Sequence, residues 1–95
     1  MPKTKTIPWD SADHLETTED IAAYLEAAFE DGDPVLINHA LGVVSRAKGM
    51  TEIAQRTGMG RQSLYKALSA DGHPEFSTVL NVMRALGLRL TVTPA

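Results

Sequence analysis

Five polar or cationic side chains are concentrated in the short segment RQSLYK, residues 61–66. Arginine can form two hydrogen bonds to guanine, glutamine can do so with adenine, and serine or lysine can reach bases or phosphates. One leucine interrupts the segment, as expected for a helix that buries one side and exposes the rest. The residues predicted to face outward are Arg61, Gln62, Ser63, Tyr65 and Lys66. Their chemistry suits a surface that reads the edges of DNA bases.

Two helices joined by a tight turn over residues 50–69 would position those side chains. A helix-turn-helix needs a short positioning helix, a turn, and a second helix that faces the major groove. Thr51 can cap the first helix, the small Ala54 allows close approach, and Gly58 suits a turn with positive φ. Thr51 and Gly60, at the starts of the two helices, complete the candidate DNA contacts. The residues predicted to face inward are Ile53, Met59, Leu64 and Leu68.

Charge is unevenly distributed along a chain whose overall net charge is −3. Residues 1–44 carry two lysines and nine carboxylates, net −7, whereas residues 45–68 carry five basic residues and one glutamate, net +4. Because the Debye length is about 8–10 Å at physiological salt, DNA near the second segment responds mainly to its positive charge. The acidic half is either a solvated surface or a surface that attracts a basic partner, and the sequence leaves both alternatives open.

Helix caps and hydrophobic periodicity place the first elements of a single domain of 95 residues. An N-terminal arm is predicted over 1–16, followed by two acidic helices over 17–49. Thr17 or Thr18 can cap the first helix, and Asp33 can cap the second, which has proline at its first position. The apolar face of the first helix is predicted to consist of Ile21, Leu25, Ala28 and Phe29.

The C-terminal part, residues 70–95, is predicted to hold a loop, a fifth helix capped by Ser77, and a short strand. Leu88, Leu90 and Val92 alternate with polar residues, which is typical of a half-buried strand. A lone strand needs partners for its backbone groups, so we expect pairing with the same segment of a second copy in a symmetric dimer. The expected fold is therefore mainly α, with five helices and one C-terminal β-strand.

Several classes of site are disfavoured by the composition. The chain has no cysteine, and its three histidines, at 14, 39 and 73, lack metal-ligand spacing. No positioned nucleophile or other catalytic arrangement is visible, so we expect no metal, no cofactor and no enzymatic activity. The sequence shows neither a signal peptide nor an apolar run that could span a membrane. We therefore expect a cytoplasmic protein without a membrane partner.

The segment Met50–Ser69 resembles the helix-turn-helix of the Cro/C1-type (XRE) repressor family, which implies a lambda-repressor-like domain. Arg61, Gln62 and Lys66 fall where that family places base-contacting side chains. At Met50 that family often has a glutamine that bonds a phosphate, so this chain departs from the pattern there. Nearly the whole chain also resembles the small addiction-module antidotes, the HigA-like antitoxins. That resemblance is most specific at EDGDP, RAKGM and SLYKALS.

The resemblance implies two activities. Such an antitoxin binds and silences a small basic toxin of the RelE/HigB-like kind, usually a ribosome-dependent mRNA endonuclease. It also binds the operator DNA of its own operon as an autorepressor. The acidic half would complement a basic toxin. Two alternatives stay open: a stand-alone helix-turn-helix transcriptional regulator, and a protein-interaction module that does not bind DNA.

Overall fold

The computed structural model describes residues 15–95, and these form five α-helices. The helices are α1, Thr18–Asp31; α2, Pro34–Lys48; α3, Met50–Thr57; α4, Arg61–Ala67; and α5, Phe76–Ala85. This confirms the prediction of a mainly α fold with five helices. Nearly all of the predicted arm over 1–16 lies outside the described residues. None of the five helices is long and apolar enough to cross a membrane.

The first two helices begin where their capping residues predict. The side-chain oxygen of Thr17 accepts a hydrogen bond from the Asp20 N–H at 3.0 Å, and the Asp20 carboxylate accepts one from the Thr17 N–H at 3.2 Å. This reciprocal capping box satisfies backbone donors that the first turn of a helix leaves free. At α2, the Asp33 carboxylate accepts from the Val35 N–H at 2.9 Å, and proline follows at the first helical position.

The hydrophobic core is built around α3. α1 packs on α2, α2 packs on α3, and α3 contacts both α4 and α5. The largest side chains that are fully buried are Leu25, Leu41, Val44, Ser45, Ile53, Leu64, Leu68, Val82 and Leu86. Phe29, predicted to lie on the apolar face of α1, is instead 37% exposed, because the helical rotation of 100° per residue places it at the edge of the face that Ile21, Leu25 and Ala28 bury.

Two predicted caps are wrong. α3 begins at Met50, so Thr51 lies inside its first turn and Gly49 is the N-cap. Gly49 has φ 121° and ends α2 as well as beginning α3, so the two helices share one boundary residue and leave no place for a threonine cap. α5 begins one residue before Ser77, with Glu75 at the N-cap. Neither of these two N-caps makes a side-chain hydrogen bond.

The predicted C-terminal strand is also wrong for the single chain, since residues 15–95 contain no strand. The Leu88 N–H donates to the Met83 carbonyl at 2.9 Å, so the first apolar residue of the alternating segment closes the end of α5 instead. Beyond it Leu90 is exposed, and Val92 is 96% exposed. Alternation alone does not make a strand, because the backbone also needs a neighbouring strand for its hydrogen bonds.

Candidate nucleic-acid interface

The turn between α3 and α4 is held by its backbone conformation and by one hydroxyl group. Gly58 has φ 74° and ψ 11°, the left-handed conformation that glycine adopts without steric cost. The Thr57 hydroxyl donates to the Ala54 carbonyl at 3.2 Å and accepts from the Met59 N–H at 3.4 Å. Gly60 then has φ −67° and ψ 147° and is the N-cap of α4. The result is a short, sharp connection between the two helices.

Apolar side chains fix the inner sides of α3 and α4, as predicted. Ile53 and Leu64 are fully buried, and Ala54 and Leu68 are buried beside them. Met59 is half-buried and packs against the same core. Only one residue of α4 itself, Leu64, is buried, so the remainder of this short helix faces outward or lies at its edges.

The candidate DNA contacts all lie on exposed parts of the helix-turn-helix. The exposed residues are Thr51, Gly60, Arg61, Gln62, Ser63, Tyr65 and Lys66. Five of the seven lie on α4, where Arg61 and Tyr65 are one turn apart, as are Gln62 and Lys66. Their exposure agrees with the sequence analysis, whereas their contact with DNA stays a prediction.

The cations of this region have different surroundings. The Arg61 guanidinium lies over the Tyr65 ring, 5.7 Å from its centroid, which is a cation–π contact along the outer face of α4. On α3, Arg56 forms an exposed ion pair with Glu52 at 3.2 Å, so its charge is locally balanced. Lys66 is exposed near the end of α4. Arg61 and Lys66 therefore supply the positive charge of the outer face of α4.

Arg46, in the last turn of α2, lies near α1 and not on α4. Burial raises the pKa of Tyr24, and the positive charge of Arg46 opposes that increase. Because Tyr24 belongs to α1, Arg46 lies close enough to α1 to influence it electrostatically. This arginine contributes to the net charge of the basic segment but lies beside the acidic half.

One functional candidate was missed by the sequence analysis. Asn38, on the buried side of α2, directs its side-chain amide at the end of α4 and donates to the carbonyl oxygens of Ala67, Ser69 and Gly72 at 3.2, 2.6 and 3.3 Å. The one sequence signal was a polar residue among the apolar positions of a helix. That signal gives no indication of the partners, which lie 29 to 34 residues away.

No metal centre is formed by the residues that the structure describes. Within 15–95, no group of three or more histidine, cysteine, aspartate or glutamate side chains could hold a metal ion. His39 and His73 are both exposed, and His14 lies outside the described residues.

Residues 5–94 match a family described as "Probable addiction module antidote protein". The chain belongs to this antidote family. A Haemophilus influenzae protein described as "Uncharacterized protein" is 44% identical to this chain over 84 residues, which is 88% of this chain and 87% of the relative. No solved structure matches the chain. The family match covers all five helices, so it includes α1 and α2 as well as the two helices joined at Gly58.

Proposed function

We propose that this antidote is a type II antitoxin that neutralises a basic toxin of the RelE/HigB-like kind and represses its own operon by binding operator DNA. Membership of the antidote family is the observation that carries the proposal. The helix-turn-helix, of the HigA-like, Cro/C1-type form, is the DNA-binding element, and the protein acts in the cytoplasm as a homodimer without enzymatic activity. A dimer would bind two half-sites about 34 Å apart, or a multiple of that distance.

The outer face of α4 supports the DNA-binding part of the proposal. Arg61 and Gln62 are exposed at the start of α4, where recognition helices contact base edges. Lys66 lies one turn further along and is suited to a phosphate. Since Leu64 is fully buried against α3, these three side chains extend from a helix whose inner side is fixed in the core.

Site discrimination by single variants tests this part. We expect R61A and Q62A to lose about 1–3 kcal/mol of discrimination between the operator and a scrambled duplex. K66A should weaken binding to both duplexes similarly and reduce the salt dependence by about one ion. R84A, on α5, is the matched control because it removes the same charge from another exposed position. If R61A and R84A discriminate equally well, α4 is not the reading helix.

The acidic half supports the toxin-binding part. No lysine or arginine occurs between Lys5 and Arg46, whereas nine aspartates or glutamates do, so this segment carries a net negative charge. The turn between α1 and α2 also exposes two large apolar side chains, Phe29 at 37% and Val35 at 56%. The carboxylates next to them, all exposed, are Glu26, Glu30, Asp31 and Asp33. Apolar area surrounded by negative charge is suited to a basic protein surface.

Co-expression with the product of the neighbouring open reading frame tests the toxin partner. We expect that product to be a basic protein of domain size, to co-purify with the antidote, and to stop arresting growth when the antidote is present. If the antidote is soluble and the product of the neighbouring open reading frame stays fully toxic, the proposed antitoxin function is refuted.

A charge-reversal pair then locates the contact. Glu30→Lys with Asp31→Lys should weaken the complex, whereas Asp71→Lys with Glu75→Lys, the same change in charge near the start of α5, should not. Lysines in the last turn of α1 are compatible with the helix, because positive charge is favourable at a helix C-terminus. Equal loss of binding in the two double variants would show that only net charge matters and that the acidic half is not the docking surface.

A further inference from the structure

The C-terminal end of α4 is attached to α2 through one buried side chain. Asn38 is 6% exposed, and its Nδ2 atom donates to three backbone carbonyl oxygens. The distances are 3.2 Å to Ala67, 2.6 Å to Ser69 and 3.3 Å to Gly72. These carbonyls belong to the last residue of α4 and to the loop after it. Carbonyls at the end of a helix have no partner within the helix, and here a distant side chain supplies one.

The orientation of the Asn38 amide follows from its partners. Its Oδ1 atom is buried and has no hydrogen-bond partner among the described residues. If the amide were rotated to exchange the two atoms, Oδ1 would face three carbonyl oxygens and no donor, which is unfavourable. The side chain therefore leaves a buried acceptor unsatisfied while directing both N–H groups at the end of α4.

The backbones of α2 and the α4 end also approach too closely for side chains. A Cβ atom added at Gly42, one turn along α2 from Asn38, would lie 2.7 Å from the Leu68 carbonyl oxygen. Within the loop after α4, a Cβ atom added at Gly72 would overlap the Ala67 carbonyl group, so the loop itself lies tightly against the end of α4. We call the contacts of Asn38 and Gly42 with residues 67–72 the clasp. At Gly42 the two backbones are in direct contact, and Asn38 links them through its side chain.

We propose that Asn38 is a positioning residue for DNA recognition, which sets the direction of α4 through the clasp. The inference rests on the proposed DNA binding by this helix. α4 has only seven residues, one of them buried, and its N-cap Gly60 makes no side-chain hydrogen bond. Leu64 and the C-cap Leu68 bury the inner side of this helix, and the Asn38 bonds hold the carbonyls at its far end, so these contacts together restrict the direction of its axis. Base-edge hydrogen bonds depend strongly on distance and angle, so a tilt would impair reading more than charge attraction.

Asn38→Ala tests this proposal, with Ser45→Ala as its matched control. Ser45 lies two turns along the same helix and is likewise a buried polar residue, and its hydroxyl has no hydrogen-bond partner among the described residues. The probes are a duplex from the antidote's own promoter and a scrambled duplex of the same length, at one salt concentration. We expect N38A to bind the promoter duplex about tenfold more weakly or worse, with affinity for the scrambled duplex within about twofold. S45A should leave both affinities unchanged.

The ratio of the two affinities separates positioning from loss of folded protein. A smaller folded fraction, measured by circular dichroism, lowers both affinities by the same factor and leaves the ratio unchanged. A folded N38A with the wild-type ratio would overturn the proposal. If N38A does not fold, N38S, which keeps one donor, takes its place. If N38S also fails to fold, Asn38 acts on global stability and the proposal is overturned. A wild-type protein without promoter preference would instead refute the proposed DNA binding itself.

Discussion

The two glycines of the turn between α3 and α4 differ in backbone conformation, and substituting alanine at each one compares the effect of that difference on stability. Gly58 has φ 74° and Gly60 has φ −67°. A Cβ atom built on Gly58 meets nothing within 4 Å, and one built on Gly60 meets only the Ser63 hydroxyl oxygen, at 3.9 Å. Both positions therefore have room for alanine, so the two substitutions differ mainly in backbone conformation.

The expected free energies follow from that difference. An alanine at Gly58 would have to adopt the left-handed conformation, at a cost of roughly 1–2 kcal/mol. At Gly60 the backbone is ordinary for alanine, and the cost is about 0.5 kcal/mol because alanine is a poorer N-cap than glycine. Both variants gain about 0.4–1 kcal/mol from a less flexible unfolded chain, which cancels in the comparison. We expect G58A to be less stable than G60A by about 1 kcal/mol.

Urea unfolding followed by far-ultraviolet circular dichroism measures this difference. For a small domain with a denaturant slope of roughly 1–1.5 kcal/mol per molar urea, the midpoint of G58A should lie about 0.7–1 M below that of G60A. Gly58→Asn should recover part of the loss, since asparagine tolerates the left-handed region. Equal midpoints for G58A and G60A, or a lower midpoint for G60A, would refute the assignment of Gly58 as the position where the turn requires a left-handed backbone.

Three further predictions concern the helices. Thr17→Ala removes the capping acceptor of α1 and should lower the free energy of unfolding by about 1 kcal/mol in urea titration, whereas Thr17→Ser should not. Leu64→Ala should lower it by about 3–4 kcal/mol in thermal unfolding, and the exposed Leu90→Ala by less than about 0.5 kcal/mol; similar values would contradict the core assignment. Glu52→Gln should cost at most about 0.5 kcal/mol, decreasing with salt, because its ion pair with Arg56 is exposed.

The helices were predictable where their signals are local. Thr17 accepts a hydrogen bond from the N–H three residues later, and Asp33 from the N–H two residues later. The residues that form each cap are therefore close together in sequence. The same logic failed at Thr51 and Ser77, which are good capping residues that lie just inside their helices. At these boundaries the neighbouring helix and the core decide where the chain turns, and Gly49 provides the turn that ends one helix and begins the next.

Long-range features of the candidate site could not be predicted. The outward side of α4 was predicted because helical periodicity places Leu64 inward and its neighbours outward. Asn38 bonds to backbone carbonyls at the end of α4, 29 to 31 residues further along the chain. Every residue has such a carbonyl, so the sequence does not indicate which of them Asn38 contacts. The C-terminal strand failed for a related reason, because alternation describes side chains while a strand also requires a second backbone.

Which helices contact one another affects how quickly the chain folds. The main contacts join helices that are adjacent or nearly adjacent in sequence, and the Asn38 bonds span 29 to 34 residues. Helical domains dominated by such local contacts fold in microseconds to milliseconds. At roughly 5–20 residues per second, a ribosome needs about 5–20 s to make 95 residues. For the proposed antitoxin, translation rather than folding would therefore set how quickly a newly made toxin meets its antidote.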